Sequence, residues 1–380
     1  SGPTEHGRVM AEHTKQPSGP GWRERRPSAS FRPGQLWSGA TVREAAAAEE
    51  ALLAAHVRSP FELGRVFVDL KHIGVPAGNY MATIDINAGA SGTPIVLAHG
   101  AGAGLGFGYQ NFDTYASLGG ERRRVLAFDW LGQANSSRPS FPPGPRPAWL
   151  YSETELFDTT VRFFVEALEA WRKALGIERF DLIGHSMGGF FSAQYAMRYP
   201  QRVRRLVLSG AAGLGARPAP DKVGAPPMKV MKALWDARLL HFGTLGSLGR
   251  LVRGGARRGL EGYFRTDGTR ETELLSEYWW ALLAAHRPSA DAATNIILEP
   301  LATEDDGMTM FARRPVAAEL EAAPERLAAL RRVPITCVYG ESDWLFTESV
   351  HEFVELLGPR AELHFVRHAA HHLYADNRAG

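Results

Sequence analysis

A single cysteine, Cys337, stands in 380 residues. It has no partner for an intrachain disulfide, which excludes a disulfide-stapled secreted fold. Nowhere does the chain hold the roughly 18 consecutive uncharged apolar residues that a membrane-spanning helix needs. Charge of one sign is scarce too. Lys and Arg number 43 against 41 Asp and Glu, a formal net of +2, so the global footprint of a nucleic-acid-binding protein is missing. No internal repeat is visible. What is present is apolar material, 44% of the residues, enough for a sizeable core. The length suits one α/β domain with an inserted subdomain.

The small net charge hides two basic regions. Residues 1–43 carry seven Lys and Arg against three Glu. Residues 228–258 carry seven (Lys229, Lys232, Arg238, Arg250, Arg253, Arg257, Arg258) against Asp236 alone. The second region is also rich in Leu, Met, Trp and Phe. Residues 1–36, punctuated by Pro3, Pro17, Pro20, Pro27 and Pro33, are expected to form a flexible basic tail without helix or strand. Because the chain opens on Ser1 and not Met, a fragment or a processed form is expected, and either would lack any original targeting peptide. Trp37 and a helix over Thr41–Ala55 follow.

From about residue 64 the pattern becomes strand, turn, helix, repeated. Phe67–Ile73 and Tyr80–Asn87 alternate and are expected to form an antiparallel hairpin. Pro94–Ala98, Val125–Asp129, Phe180–Ile183, Leu206–Ser209, Ile335–Tyr339 and Leu363–Val366 are short apolar runs, suited to parallel strands covered on both faces. Helical periods lie at Glu155–Leu175, Met187–Tyr199, Ala317–Leu330 and Glu348–Leu357. The fold class is α/β, with a mostly parallel, doubly wound sheet. Alternation breaks between about 214 and 315, where helices are expected around Met228–Leu240 and Glu271–Ala285. The expected division is a core of 37–213 and 316–380 and a helical cap, or lid, of 214–315.

The strongest chemical signal is Gly184-His185-Ser186-Met187-Gly188-Gly189, which follows an apolar strand and opens a helix. That context defines a nucleophile elbow, with Ser186 exposed at a sharp turn. A second signal is His99-Gly100-Ala101-Gly102-Ala103-Gly104 after the strand Ile95–Ala98. Small residues let backbone N–H groups reach a substrate oxygen, so the Ala101 and Met187 N–H groups are the candidate oxyanion hole. A phosphate-cradling loop fits less well, because no Lys-Ser/Thr follows.

A serine nucleophile needs a base, and the base an orienting acid. In the chain order Ser, Asp, His, the acid belongs in Gly340-Glu341-Ser342-Asp343-Trp344, with Asp343 preferred over Glu341. The base belongs after the last strand, where His368, His371 and His372 compete. His371, which follows Ala369-Ala370, has room to reach the serine and is preferred. A metal site among His364, His368, His371 and His372 lacks a companion set of acids or cysteines at ligand spacing. Asp129, in Asp129-Trp130-Leu131-Gly132, leads a structural turn. It is no nucleophile, since Ser186 occupies the elbow.

These residues resemble the α/β-hydrolase superfamily, and within it the subfamily of α/β-hydrolase domain-containing proteins four and five. The resemblance runs from about Leu36 to Asp376. It rests on Glu44–Leu53, His99–Gly104, Asp129–Gly132 with Ser136-Ser137-Arg138-Pro139, Ala312-Arg313-Arg314-Pro315, and His371 with Tyr374-Ala375-Asp376. The group includes a lipid-droplet co-activator of adipose triglyceride lipase, a lysophospholipase and N-acyl-phosphatidylethanolamine lipase, and cardiolipin deacylases. The resemblance implies lipid acyl-ester chemistry or lipid-droplet regulation. The co-activator carries Asn at the nucleophile position, so Ser186 points to the catalytic branch. Ala134 stands where relatives carry a second glycine, which implies an altered turn. The spacing from His371 to Asp376 matches a motif read in this family as a lysophosphatidate acyltransferase signature; the simpler expectation is that Asp376 caps a following helix.

The expected function is hydrolysis of acyl esters of phospholipids or lysophospholipids at a membrane or lipid-droplet surface through Ser186, His371 and Asp343. No cofactor and no metal is expected. The alternatives are an adaptor that partners another lipase, an acyltransferase, and an esterase of small soluble substrates; Trp279, Trp280 and Trp344 would suit the pocket of a lipid or a small-ester enzyme alike, core burial being the commoner place for such rings. Lys229, Lys232, Trp235, Arg250 and Arg253 are the expected membrane contacts. The expected setting is cytoplasmic and peripheral on membranes or droplets, or inside an organelle such as a plastid or mitochondrion.

Overall fold

Short strands that are apolar on both faces need helices above and below them. The computed structural model describes residues 21–24, 42–144, 148–217, 226–238, 269–285, 289–302 and 308–377. In chain order the strands are β1 (Trp22–Glu24), β2 (Phe61–Phe67), β3 (Tyr80–Ile86), β4 (Ile95–Ala98), β5 (Val125–Phe128), β6 (Phe180–His185), β7 (Val203–Ser209), β8 (Leu298–Ala302), β9 (Met308–Ala312), β10 (Ile335–Gly340) and β11 (Ala361–Val366). All but β8 and β9 join one sheet in the order β1-β2-β3-β5-β4-β6-β7-β10-β11. The β1–β2, β2–β3 and β3–β5 pairs are antiparallel. From β5 onward every neighbour is parallel. This is the α/β-hydrolase architecture.

The helices are α1 (Val42–His56), α2 (Phe112–Ala116), α3 (Glu153–Ala174), α4 (Met187–Arg198), α5 (Pro226–Asp236), α6 (Thr269–Ala285), α7 (Ala293–Ile297), α8 (Val316–Glu321), α9 (Pro324–Leu330), α10 (Ser349–Leu357) and α11 (Leu373–Asp376). A capping box starts α3: Ser152 Oγ accepts the Glu155 N–H while the Glu155 carboxylate accepts the Ser152 N–H. Such a box satisfies two backbone donors that the first helical turn leaves free. Every residue of α4 from Met187 to Met197 is buried. Its Phe190 and Phe191 pack with Phe163 and Phe164 of α3 and with Trp130 in one core cluster. Each such ring contributes roughly 1.5–3 kcal/mol by leaving water, so α4, with Ser186 at its head, is seated in the main hydrophobic core.

Three expectations are corrected. Residues 1–36 are not wholly a tail without strand, because Trp22–Glu24 pairs with β2 and buries the Trp22 ring. The first hairpin strand lies at Phe61–Phe67 rather than Phe67–Ile73; Lys71–Ile73 is a 3-10 turn entered through the Asp69 carboxylate, which accepts the Lys71 N–H at 3.3 Å. The single helix expected over Ala317–Leu330 is two, broken before Pro324, where Ala323 leaves the helical region at φ −135° and ψ 76°, as a residue before proline does. The ribbon of β8 and β9 was not foreseen: each strand is only five residues long, too short to stand out beside the helical segments of that interval. Between β7 and α8 the described residues carry α5, α6, α7 and this ribbon, and α8 and α9 then lead into β10.

Candidate active site

Ser186 occupies the one-residue turn between β6 and α4, at φ 55° and ψ −123°. A side chain at positive φ costs on the order of 1–3 kcal/mol, so its surroundings must hold it there. Its N–H donates to Ser209 O at 3.0 Å, and its carbonyl accepts the Ala212 N–H at 3.1 Å and the Phe190 N–H at 3.2 Å. The glycine two residues on is required by close approach: a Cβ at Gly188 would collide with the carbonyl oxygens of His99 and Ala98.

The three residues expected from sequence come together. Ser186 Oγ lies 3.0 Å from His371 Nε2, and His371 Nδ1 lies 3.0 Å from Asp343 Oδ1. Both His371 and Asp343 are buried. Asp343 Oδ1 also accepts the Leu345 N–H at 3.0 Å. As acceptor from Nδ1–H, the carboxylate selects the tautomer that leaves Nε2 free to receive the serine proton.

The competitors are placed elsewhere. Glu341 is exposed and accepts the backbone N–H of His368 at 3.0 Å, closing the loop in front of the site. His368 is exposed. His364 pairs with Glu362 at 3.1 Å. His372 Nδ1 lies 2.9 Å from the Tyr374 hydroxyl. Among the described residues no group of three His, Cys, Asp or Glu is arranged to hold a metal ion. Asp376 ends α11, the helix that begins at Leu373, and its carboxylate accepts the Ala370 N–H at 2.8 Å, directly before His371.

Two further histidines surround His371. The His185 ring lies 4.7 Å from that of His371 and 5.1 Å from that of His372, between centroids. Burial, with help from the two neighbouring imidazoles, pushes the pKa of His185 well below its ordinary value. Burial, aided by His371, lowers that of His372 to about 3. Neutral neighbours add no repulsion to the positive charge that a base acquires during proton transfer.

Beside the serine runs the His99–Gly104 loop. A Cβ placed on Gly100 would stand 2.8 Å from Ser186 Cβ, so the backbone passes in contact with Ser186. His99 is buried, and burial lowers its pKa to about 4. As a neutral ring it donates Nδ1–H to Gly100 O at 2.8 Å and accepts the Trp130 N–H at Nε2, 3.1 Å away. Among the described residues, no backbone acceptor takes the Ala101 or Met187 N–H. The turn after β5 is pinned by Asp129, which accepts the Leu105 N–H at 2.7 Å and the Asn135 N–H at 2.8 Å. Ala134 in that turn keeps positive φ, at 42°, a conformation glycine would adopt without strain.

The expected membrane contacts separate. Lys229 is exposed on α5. Lys232 faces inward, its side chain 18% exposed, with Asp236 at 2.7 Å and the buried Glu299 at 3.2 Å. Trp235 is half-buried and donates Nε1–H to Leu298 O at 2.8 Å. The outward face of α5 instead carries Val230, 61% exposed, and Leu234, 38% exposed. Arg250, Arg253 and Trp37 lie outside the described residues. Trp344, 47% exposed, stands at the rim with its ring 5.4 Å from that of His371; Trp280 is buried.

Residues 93–239 match the family model described as the alpha/beta hydrolase fold. The chain is 34% identical over 318 residues to a (lyso)-N-acylphosphatidylethanolamine lipase of Bos taurus, covering 80% of this chain and 82% of that one. It is 29% identical over 313 residues to a 1-acylglycerol-3-phosphate O-acyltransferase of Arabidopsis thaliana, covering 79% and 67%. The crystal structure of carboxylesterase CesB from Bacillus subtilis is similar with a TM-score of 0.51 over 89% of this chain and 94% of that one, at 18% identity.

Proposed function

Because this chain belongs to the α/β-hydrolase fold family, in the subfamily of α/β-hydrolase domain-containing proteins four and five, we propose that it is a serine hydrolase of phospholipid or lysophospholipid acyl esters. The observation that carries this reading is the relay from Ser186 Oγ through His371 to Asp343, with both contacts at 3.0 Å. A regulatory adaptor has no need of an aligned base behind a strained serine.

In this mechanism Ser186 Oγ attacks the ester carbonyl while His371 Nε2 takes its proton. The carbonyl π pair becomes an oxyanion, which the Ala101 and Met187 N–H groups receive. As the tetrahedral intermediate collapses, the C–O bond breaks and His371 returns the proton to the leaving alcohol. Water, deprotonated by the same imidazole, then releases the fatty acid from Ser186. Asp343 holds the imidazole and stabilises its cationic form. A lysophospholipid alcohol in place of that water would complete an acyl transfer. The name of the Arabidopsis relative supports this second reading.

The interval 214–315 serves as a lid in this reading. Lys229, Val230 and Leu234 on the outer face of α5 would meet a membrane or droplet surface, with Arg250 and Arg253 as further cationic contacts. No described helix is long and apolar enough to cross a membrane, and peripheral binding needs none.

The test is labelling by a fluorophosphonate and release of fatty acid from phospholipid and lysophospholipid vesicles. The parent should label and turn over. Ser186→Ala should do neither, and Asp343→Asn and His371→Ala should lose on the order of 10³-fold in kcat, without additivity. Absence of labelling in the parent would overturn the hydrolase reading in favour of the adaptor.

A further inference from the structure

The loop that carries Ala101 is poorly equipped to hold itself. Gly100-Ala101-Gly102-Ala103-Gly104 has no side chain beyond a methyl, and fixing its backbone costs conformational entropy that two methyl groups do little to offset. Its internal bonds are the 2.8 Å contact from His99 Nδ1 and a long 3.4 Å contact from the Ala103 N–H, both to Gly100 O. Two anchors come from the cap. Trp279 of α6 donates its indole N–H to Gly102 O at 2.7 Å, and the Tyr278 hydroxyl accepts the Gly106 N–H at 3.1 Å.

The glycines of the loop fit this role. A Cβ on Gly104 would collide with the Tyr278 hydroxyl, and one on Gly106 would stand 2.8 Å from the Tyr278 ring. They admit a cap tyrosine rather than a phosphate. Tyr278 is fully buried and also lies 3.4 Å from Glu49 of α1. Burial first, then the Glu49 and Asp129 carboxylates, raises the pKa of its hydroxyl well above the ordinary value, so it stays protonated. Helix α6 in turn packs on α1, with Leu274, Leu275 and Leu282 in one apolar cluster with Leu52 and Leu53.

We infer that Trp279 and Tyr278 are positioning residues for the oxyanion hole: through Gly102 O and Gly106 N–H, the cap helix sets where the Ala101 N–H points. The seating of α6 then governs transition-state stabilisation without touching Ser186, His371 or Asp343. This inference rests on the hydrolase reading above. An oxyanion donor acts where charge develops, so its misplacement lowers kcat and leaves substrate affinity alone.

The experiment compares the parent with Trp279→Phe and Tyr278→Phe, each confirmed as folded by its thermal transition. Three quantities are read: kcat and KM for a short-chain p-nitrophenyl ester, the inhibition constant of an alkyl trifluoromethyl ketone, and that of the corresponding alcohol. Ser186 Oγ adds to the ketone's carbonyl carbon as its proton passes to His371 Nε2, and the carbonyl π pair becomes an oxyanion in the hole; the alcohol forms none. Trp279→Phe is expected to lower kcat and ketone affinity in parallel, by on the order of tenfold, a fraction of the 10²–10³ lost when a donor is removed outright. KM and alcohol affinity should stay within about twofold. Tyr278→Phe supplies the same readout if Trp279→Phe does not fold. Unchanged kcat and ketone affinity in an active parent background would overturn the inference, and so would a rise in KM alone, which would make Trp279 part of the pocket wall. A parent that neither turns over the ester nor binds the ketone would instead overturn the hydrolase reading.

Discussion

The imidazole of His185 donates its Nε2–H to the backbone carbonyl of His371 at 2.9 Å. The residue before Ser186 thus holds the backbone of His371, 186 residues further along the chain. Two loops that stand 3.0 Å apart at Ser186 and His371 are tied together by a second bond beside that contact.

His185→Leu removes that donor and leaves a buried carbonyl unpaired, at a cost of roughly 1–3 kcal/mol. We expect kcat to fall by on the order of tenfold, with a lowered thermal midpoint. His185→Gln, which restores an N–H near the same place, should recover most of the rate. Steady-state kinetics beside thermal melts check this, and equal activity in the leucine variant would refute the tie.

Acid should destabilise the fold early. His99, His185 and His372 are kept neutral by burial, with pKa values lowered to about 4 for His99 and about 3 for His372. An unfolded chain titrates its histidines near 6.5 and therefore binds more protons than the native state below that pH. Their contribution is intact above pH ~6.5 and falls as pH drops toward the native values. Urea midpoints measured from pH 7 to 4.5 should decline with an uptake approaching three protons on unfolding. A flat profile over that range would contradict the buried neutral assignment.

Asp376 separates two readings of the spacing His371 to Asp376. Its carboxylate holds the Ala370 N–H next to the base, so Asp376→Asn should reduce ester hydrolysis and any acyl transfer to lysophosphatidate by the same factor. Parallel assays of fatty acid release and of phosphatidate formation decide it. Loss of transfer with hydrolysis intact would mark a separate acyltransferase role.

For the proposed lid, the outward face of α5 is apolar at Val230 and Leu234. Val230→Asp with Leu234→Asp should sharply reduce flotation with both neutral and anionic vesicles, while turnover of a soluble short-chain ester is retained. Lys229→Gln should affect anionic vesicles only, by about 1 kcal/mol, and less in high salt. Lys232→Gln is expected to loosen α5 through Glu299 rather than to weaken lipid contact. If the double aspartate variant floats like the parent, α5 is not the contact surface.

Much of this protein is written locally. Chemistry that depends on neighbours in sequence, such as the Ser186 elbow with its glycines, the capping box of Ser152 and Glu155, and the apolar runs of β4 to β7, was legible because periodicity and turn chemistry act within a few residues. Proline marked the break before Pro324, and the expectation of one helix there simply underweighted it. Other features depend on distance. Asp343 rather than Glu341, and His371 rather than His368 or His372, were preferences among near neighbours; only the tertiary structure lines up Asp343 with His371 and His371 with Ser186, while His372 meets Tyr374 instead. Lys232 and Trp235 looked like surface anchors on a basic amphipathic stretch, yet Glu299 and Leu298 O, brought in by β8, turn them to the interior. The indole of Trp279 reaches Gly102 across 177 residues. No local pattern encodes a hydrogen bond of that span, because its donor and acceptor meet only after α6, α1 and the sheet have packed.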